Sequence, residues 1–485
     1  MKLLLRIVVV ILVLTASVAS AQTSPKREMR GAWLHTVFQD GYASRSTGQN
    51  KAFLCGQLDA LARAGVNAVF FQVRPQADAF YPSELEPWSR FISPDGKAPV
   101  PAWDPLQFMI DEAHARGMEL HAWLNPYRIT SSKKQTLPAG HIARREPGRT
   151  VRFNGNLYFD PGLPENRDFI AAVVDDIISR YDVDGIHFDD YFYPYPVKGV
   201  SFDDAASYRK YGGKMKLADW RRHNVDLLIE KVHGVIEARK PWISFGVSPF
   251  GIWRNKASDP AGSETSGLQN YDDLYADVLL WAERGWIDYQ MPQLYWPLDQ
   301  KSASSRRLIA WWDANARGRH MFIGQDVTRC MGADGSGSEL AEKVMLTRRY
   351  PKVGGNCWWP GYEVAANRGG VADSLAATHQ CVPALVPAYP WKSDHRPQAV
   401  DGLRMKGDKI VWKVPATEGR CDDVRRFVVY RFEPGQKADI SDPRAILGIT
   451  YKNEWPLAGS GTYIVTALSR TGAESEPSTP LNIRL

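Results

Sequence analysis

The stretch Asp184-Gly185-Ile186-His187-Phe188-Asp189-Asp190-Tyr191-Phe192-Tyr193-Pro194 sets two adjacent carboxyl groups among four aromatic rings. Two carboxyl groups can divide the work of hydrolysis: one, kept protonated, gives its proton to a leaving oxygen, and the other stays ionised. Alternate side chains of a strand share a face, so Gly185, His187 and Asp189 point one way and Ile186 and Phe188 the other. Asp189 and Asp190 then fall at the C-terminal end of the strand, where a kink turns both toward a substrate. A single Asp in such a place often only caps the next helix. Two together among aromatic rings favour chemistry.

Other polar and aromatic side chains stand at the ends of other apolar runs. They are His35, then Gln72 and Arg74, then His121, Trp123, Asn125 and Tyr127, with Gln293, Tyr295 and Trp296 further on. Gln325 and Asp326, then Trp358, Trp359 and Glu363, complete the set. Any one of them alone reads equally well as a hydrogen-bonded core residue. Together they describe a cleft of flat rings and hydroxyl-binding groups, as a pyranose requires. The 17 Trp residues are compatible with that reading and with simple core filling. Asp326 and Glu363 are the available second carboxylates for a two-carboxylate mechanism.

The elements that must position these residues alternate. Strands are expected at residues 29–37, 67–75, 119–128, 184–194, 243–251, 288–296, 320–327 and 355–361. Helical spacing fills residues 51–64, 105–116, 165–181, 218–239 and 271–284, with apolar sets such as Leu54, Leu58, Leu61 and Phe169, Val173, Ile177. Asp104-Pro105 opens one helix, and Gly65 and Gly117 close two. Eight such units predict an α/β fold, a (β/α)8 TIM barrel. The long connections (76–104, 129–164, 195–217, 252–270) all follow strands, which puts the active face at their C-terminal ends.

The 485-residue chain exceeds one compact domain. Residues 27–381 are assigned to the barrel, and the Pro-rich segment 382–397 reads as a linker. Residues 398–485 read as a small all-β, fibronectin type III-like sandwich, with Trp412, Tyr430 and Tyr463 as core aromatics and Tyr463 as a tyrosine-corner residue. A cut near Pro390 is expected to leave a folded barrel. Lys2, Arg6, a short apolar run and Ala19-Ser20-Ala21 predict a signal peptide over residues 1–21, hence an exported, periplasmic or extracellular protein with no transmembrane anchor. The five Cys residues lack C-x-x-C spacing, so a zinc knuckle is not supported, and one or two disulfides are open. The net charge of +6 falls to +4 without Lys2 and Arg6, and no basic stripe points to nucleic acid.

Several long motifs resemble the glycosyl-hydrolase-like family ten of bacterial exported proteins, which includes a division-site peptidoglycan glycosidase. They are Arg30-Gly31-Ala32-Trp33, Gln72-Val73-Arg74-Pro75-Gln76-Ala77-Asp78-Ala79, Tyr81-Pro82-Ser83 with Pro87-Trp88, His121-Ala122-Trp123-Leu124-Asn125-Pro126-Tyr127-Arg128, and 184–195. The resemblance implies a glycoside hydrolase acting on cell-wall glycan, a polysaccharide substrate; no cofactor and no metal are expected. The Asp pair is also similar to that of O-GlcNAcase-type hexosaminidases. That likeness implies Asp190 as the acid and Asp189 as the group that orients the acetamide of an N-acetylhexosamine. Tyr191, Tyr295 and Trp358 are the expected wall around the acetamide methyl, and Tyr193 is expected to bind substrate beside them. Two alternatives are a non-catalytic glycan-binding protein and a metal-dependent barrel hydrolase. The latter would use His35, His121, His187 and Asp189, but lacks the H-x-H that barrel amidohydrolases carry on strand one.

Overall fold

The computed structural model describes residues 24–330 and 338–485. The expected signal peptide lies outside them. Eight parallel strands close on themselves: β1 (Met29–Leu34), β2 (Ala68–Arg74), β3 (Glu119–Leu124), β4 (Gly185–Phe188), β5 (Ser244–Val247), β6 (Tyr289–Gln290), β7 (His320–Asp326) and β8 (Val353–Trp359). Each pairs with the next, and β8 returns to β1 with Gly31 opposite Cys357. The fold is a (β/α)8 barrel, as the alternating pattern predicts.

The helices between strands include α1 (Thr47–Arg63), α2 (Pro105–Ala115), α3 (Pro164–Arg180), α4 (Leu217–Arg239), α5 (Val278–Glu283), α6 (Ser305–Ala314) and α7 (Ser338–Thr347), with α8 (Gly361–Ala365) after β8. α1 starts on a capping box between Ser46 and Gln49. α2 starts where the Asp104 carboxylate accepts from the Leu106 and Gln107 amides. The helix expected over 271–284 is broken, because Tyr275 takes a left-handed conformation (φ 55°) that ends one turn and leaves α5 to begin at Val278.

Strand parity divides the core. Outward residues such as Leu34, Val69, Phe71, Ile186 and Phe188 pack under the helices, whereas Trp33, Phe70, Trp123, Tyr289 and Phe322 fill the barrel. Interior glycines make room for these rings. A Cβ on Gly246 would sit 2.1 Å from the Tyr289 ring, and one on Gly185 would sit 2.2 Å from His121 Nδ1.

The C-terminal chain forms two antiparallel sheets of three and four strands around Trp412, Phe427, Tyr463 and Val465. Tyr463 donates to the Gly459 carbonyl at 2.7 Å and accepts from the Ala458 amide at 2.9 Å, a local corner bond. The segment 382–397 is not loose. Val386 and Tyr389 join the cluster inside the barrel, and Trp391 Nε1 donates to Asp288 at 2.7 Å. Pro residues there shape a docked strap across the N-terminal ends of the strands. The module closes the same end: Arg426 pairs with Glu119 at 2.6 Å and Arg425 with Asp182 at 2.6 Å. The Tyr451 ring stacks on His114 with centroids 4.1 Å apart. All five cysteines are free thiols.

Candidate active site

β4 ends its ladder at Phe188, and the two carboxyls follow directly at its C-terminal end. Both carboxyls are buried. Asp189 is held from β3: Asn125 Nδ2 donates to both of its oxygens at 3.1 and 3.0 Å, and Trp123 Nε1 donates at 3.2 Å. The Tyr191 amide adds a third donor group at 3.3 Å. Burial raises the Asp189 pKa, while the Arg128 charge and these hydrogen bonds oppose the rise.

Asp190 lives in a different environment. Its carboxyl accepts from the Tyr195 hydroxyl, and the Gln293 side chain nearby favours its charged form. Burial first, and the Asp189 charge second, push it up to about 7. Adjacent carboxyls with environments this unlike are the usual mark of an acid beside an ionised partner. Tyr191 and Tyr195 meet edge-on at 5.3 Å, and Phe250 follows at 6.0 Å from Tyr195 and 5.4 Å from Trp296. These half-buried rings line the cleft around the pair. Tyr295 is close enough to Asp190 for the carboxylate to help raise its phenol pKa, after burial.

Several residues expected to bind substrate are placed otherwise. Arg74 is fully buried, forms a two-pronged ion pair with Glu86 at 2.7 and 2.6 Å, and donates to the Pro126 carbonyl. It braces the loop after β3 and does not reach the cleft. The Gln72 carboxamide oxygen accepts from the Thr36 and Val37 amides, each at 2.9 Å, which fixes the chain after β1. His121 and His187 lie fully inside the barrel. Tyr193 turns into the core against Phe202 and Tyr275. Asp326 caps its own turn by accepting from the Thr328 and Arg329 amides, and Glu363 pairs with Arg368 at 2.5 Å. Neither is a free second carboxylate.

Trp358 is completely buried under the helices. Its neighbour Trp359 faces inward, 4.7 Å from the His35 ring and 6.2 Å from Trp123. The cleft wall therefore contains Trp359 where the sequence suggested Trp358. His35 stays at the rim, where Gln39 contacts Nε2 at 2.8 Å and burial lowers its pKa to about 4. The four groups offered for a metal are engaged otherwise, His35 with Gln39, His187 with Trp33 and Tyr289, His121 with Glu119 and the same Tyr289, and Asp189 with Asn125. Tyr195, Phe250 and Arg128 were not singled out from the sequence. Tyr195 and Phe250 carried a usable signal, since both follow strand ends.

Residues 28–333 match the family described as Glycosyl hydrolase-like 10. The chain belongs to this family. It is 35% identical over 488 residues to glycosyl hydrolase YngK of Bacillus subtilis (strain 168), covering 95% of this chain and 94% of that one. It is 43% identical over 320 residues to glycosyl hydrolase DigH of Escherichia coli (strain K12), covering 61% and 71%. Among solved structures it is similar to the endo-beta-1,4-mannanase from Thermotoga petrophila, with a TM-score of 0.43, 9% identity and coverage of 94% and 99%. The protein is a glycoside hydrolase, and its substrate is a glycan. No helix among the described residues is long and apolar enough to cross a membrane.

Proposed function

We propose that this family member is exported and cleaves N-acetylhexosamine-containing glycan of the bacterial cell wall, the substrate's own acetamide acting as nucleophile. One observation carries the reading: burial and the Asp189 charge push Asp190 up to about 7, whereas the burial-driven rise of Asp189 is opposed by the Arg128 charge and three donor groups. A carboxylate offers about four acceptor positions. On Asp189 the Asn125 amide spans both oxygens while Trp123 and Tyr191 contact one each, so an acetamide N–H enters by displacing or sharing one of these contacts, all of them 3.0 Å or longer.

In the first step the acetamide oxygen bonds to the anomeric carbon, and the bond to the leaving oxygen breaks as that oxygen takes the Asp190 proton. Asp189 accepts the acetamide N–H and stabilises the positive charge that develops on the ring now closing. In the second step water attacks the anomeric carbon, gives its proton to Asp190 and reopens the ring, so the configuration is retained. The ties on Asp326 and Glu363 support this scheme over one with a side-chain nucleophile on another strand. The aromatic rings beside the pair suit the apolar face of a pyranose.

Mass spectrometry of the products from peptide-free peptidoglycan strands tests the reading. New reducing ends at an N-acetylhexosamine, lost in Asp190→Asn, are expected. Cleavage confined to glycans without acetamides would overturn it.

A further inference from the structure

A single file of hydrogen bonds runs up the barrel axis from the C-terminal module. Arg426 Nη2 meets Glu119 Oε1 at 2.6 Å, and Glu119 Oε2 lies 3.2 Å from His121 Nε2. His121 Nδ1 is 3.2 Å from the Tyr289 hydroxyl, which is 3.1 Å from His187 Nδ1. His187 Nε2 then meets both Trp33 Nε1 and Ser248 Oγ at 3.1 Å. Nothing in this file is open to water, since Glu119, His121, His187, Tyr289 and Trp33 are all buried.

Its two ends fix its direction. Trp33 Nε1–H can only donate, and Arg426 can only donate. His187 Nε2 must therefore be bare, so the His187 proton sits on Nδ1 and is given to Tyr289. The Tyr289 hydroxyl passes its own proton bond to His121 Nδ1, and His121 Nε2–H is given to the Glu119 carboxylate, which Arg426 holds as an anion. We infer that the C-terminal module sets the hydrogen-bond polarity beneath the catalytic pair, with Arg426 acting through Glu119, His121 and Tyr289 to keep the His187 proton on Nδ1. Arg426 is thus a positioning residue for a site at the opposite end of the barrel.

The consequence at the site is steric as well as electrostatic. Reversing the file would put two N–H groups face to face at the Trp33–His187 contact. The His187 ring would have to move, and it touches both supports of the pair. The Trp123 ring, 6.4 Å away by centroids, donates to Asp189. Ser248 presents its carbonyl to Gln293 Nε2 at 2.9 Å, and the Gln293 side chain is near enough to Asp190 to favour its charged form. Burial and the nearby His121 hold the His187 pKa well below its ordinary value, so the ring cannot escape by taking a second proton.

The file makes an unusual demand of its variants. In Arg426→Met the buried Glu119 becomes a neutral acid and donates to His121, which reverses the file. In Glu119→Gln the remaining Arg426 claims the amide oxygen and turns the NH2 toward His121, which also reverses it. In the double variant the amide oxygen is free to accept from His121, and the native direction returns. Full-length protein labelled with 15N in its histidine rings reads this directly by long-range proton–nitrogen correlation, with His187 assigned by its loss in His187→Gln. The native spectrum is expected to show Nδ1–H and bare Nε2, each single variant to shift His187 toward Nε2–H, and the double to restore it. Turnover should follow, falling roughly ten- to hundredfold in each single variant with KM little changed, and recovering in the double. A native His187 protonated on Nε2, or single variants that leave the tautomer unchanged, overturns the inference, as does a double variant no better than either single. Should one single variant not fold, the other and the native spectrum still decide. The tautomer is read without substrate, so this test is independent of which glycan the enzyme cleaves.

Discussion

The amide nitrogen of Asn125 lies 3.1 Å from one oxygen of Asp189 and 3.0 Å from the other, so a single side chain spans the carboxylate and fixes its plane. Asn125 cannot flip, because its own oxygen accepts from the Arg128 amide at 3.0 Å. Asn125→Ala should cost about 1.5–3 kcal/mol of stabilisation of the Asp189 anion, or roughly ten- to a hundredfold in turnover. Steady-state rates with a circular dichroism control check it, and an unaffected kcat would detach Asp189 from the chemistry.

Asp190 gives a pH test. Its folded pKa, about 7, lies above the ordinary aspartate value of 3.8. The sign follows: the folded state binds the proton more tightly, so stability is fully present below pH 3.8 and is lost as pH rises through about 7. Asp190→Asn removes that liability. The variant should melt higher than the native protein by a margin that widens from pH 4 to 7. Its turnover should drop about 10²–10⁴-fold with substrate still bound, as for loss of a general acid. Native turnover should fall on the alkaline side of about 7, where the acid is already ionised. A margin that does not grow with pH would mean Asp190 is ionised throughout.

The barrel was legible because its signals are redundant: eight apolar runs, helical spacing between them and long loops on one side only. The clustering of the Asp189–Asp190 pair with aromatic rings at one strand end was legible for the same reason. Side-chain destinations were harder. Arg74 and His121 have the composition of a sugar site, but Arg74 is tied to Glu86 from a loop, and the Glu119 that shares a strand face with His121 is held by Arg426 from the C-terminal module, partners that no local pattern announces. Trp358 and Trp359 show what parity alone could have settled. Trp33 on β1 faces inward, Gly31 is opposite Cys357, and counting by two from Cys357 reaches Trp359.

That one-residue difference separates two phenotypes. Trp358→Ala should destabilise by about 3–5 kcal/mol as a buried cavity and leave KM near native in whatever protein remains folded. Trp359→Ala should raise KM at nearly native melting temperature. Denaturant titration beside substrate saturation curves distinguishes them, and the reverse assignment would put Trp358 back in the cleft.

The strap and module argue against a free-standing barrel. Ending the chain at Thr378 removes Val386 and Tyr389 from the barrel interior, and leaves Glu119, Asp184 and Asp288 without Arg426, Arg425 and Lys392. Breaking a buried pair costs about 3–5 kcal/mol, and a whole domain has only about 5–15 to lose. The truncated chain is expected to be insoluble or to lack a cooperative melt, contrary to what a Pro-rich linker suggests. A soluble chain of 378 residues with a sharp transition would show that the barrel closes its own base.

The mechanism can be separated from its closest rival by what the site holds most tightly. If the acetamide is the nucleophile, the high-energy species is a fused five-membered ring carrying positive charge beside Asp189, with its methyl against Tyr191, Tyr295 and Trp359. A thiazoline of the same shape should then bind far more tightly than N-acetylglucosamine, as expected for mimics of a species bound only on the way to products. Its affinity should fall in Asp189→Asn, because an amide cannot supply the anion that the ring nitrogen needs. Substrates stripped of the N-acetyl group should not turn over, and no glycosyl-enzyme should accumulate. A fluorosugar that traps a covalent adduct, with the thiazoline ignored, would make the nucleophile a side chain. Asp189 would then be the residue to look for in the labelled peptide, since Asp326 and Glu363 are committed to Thr328 and Arg368.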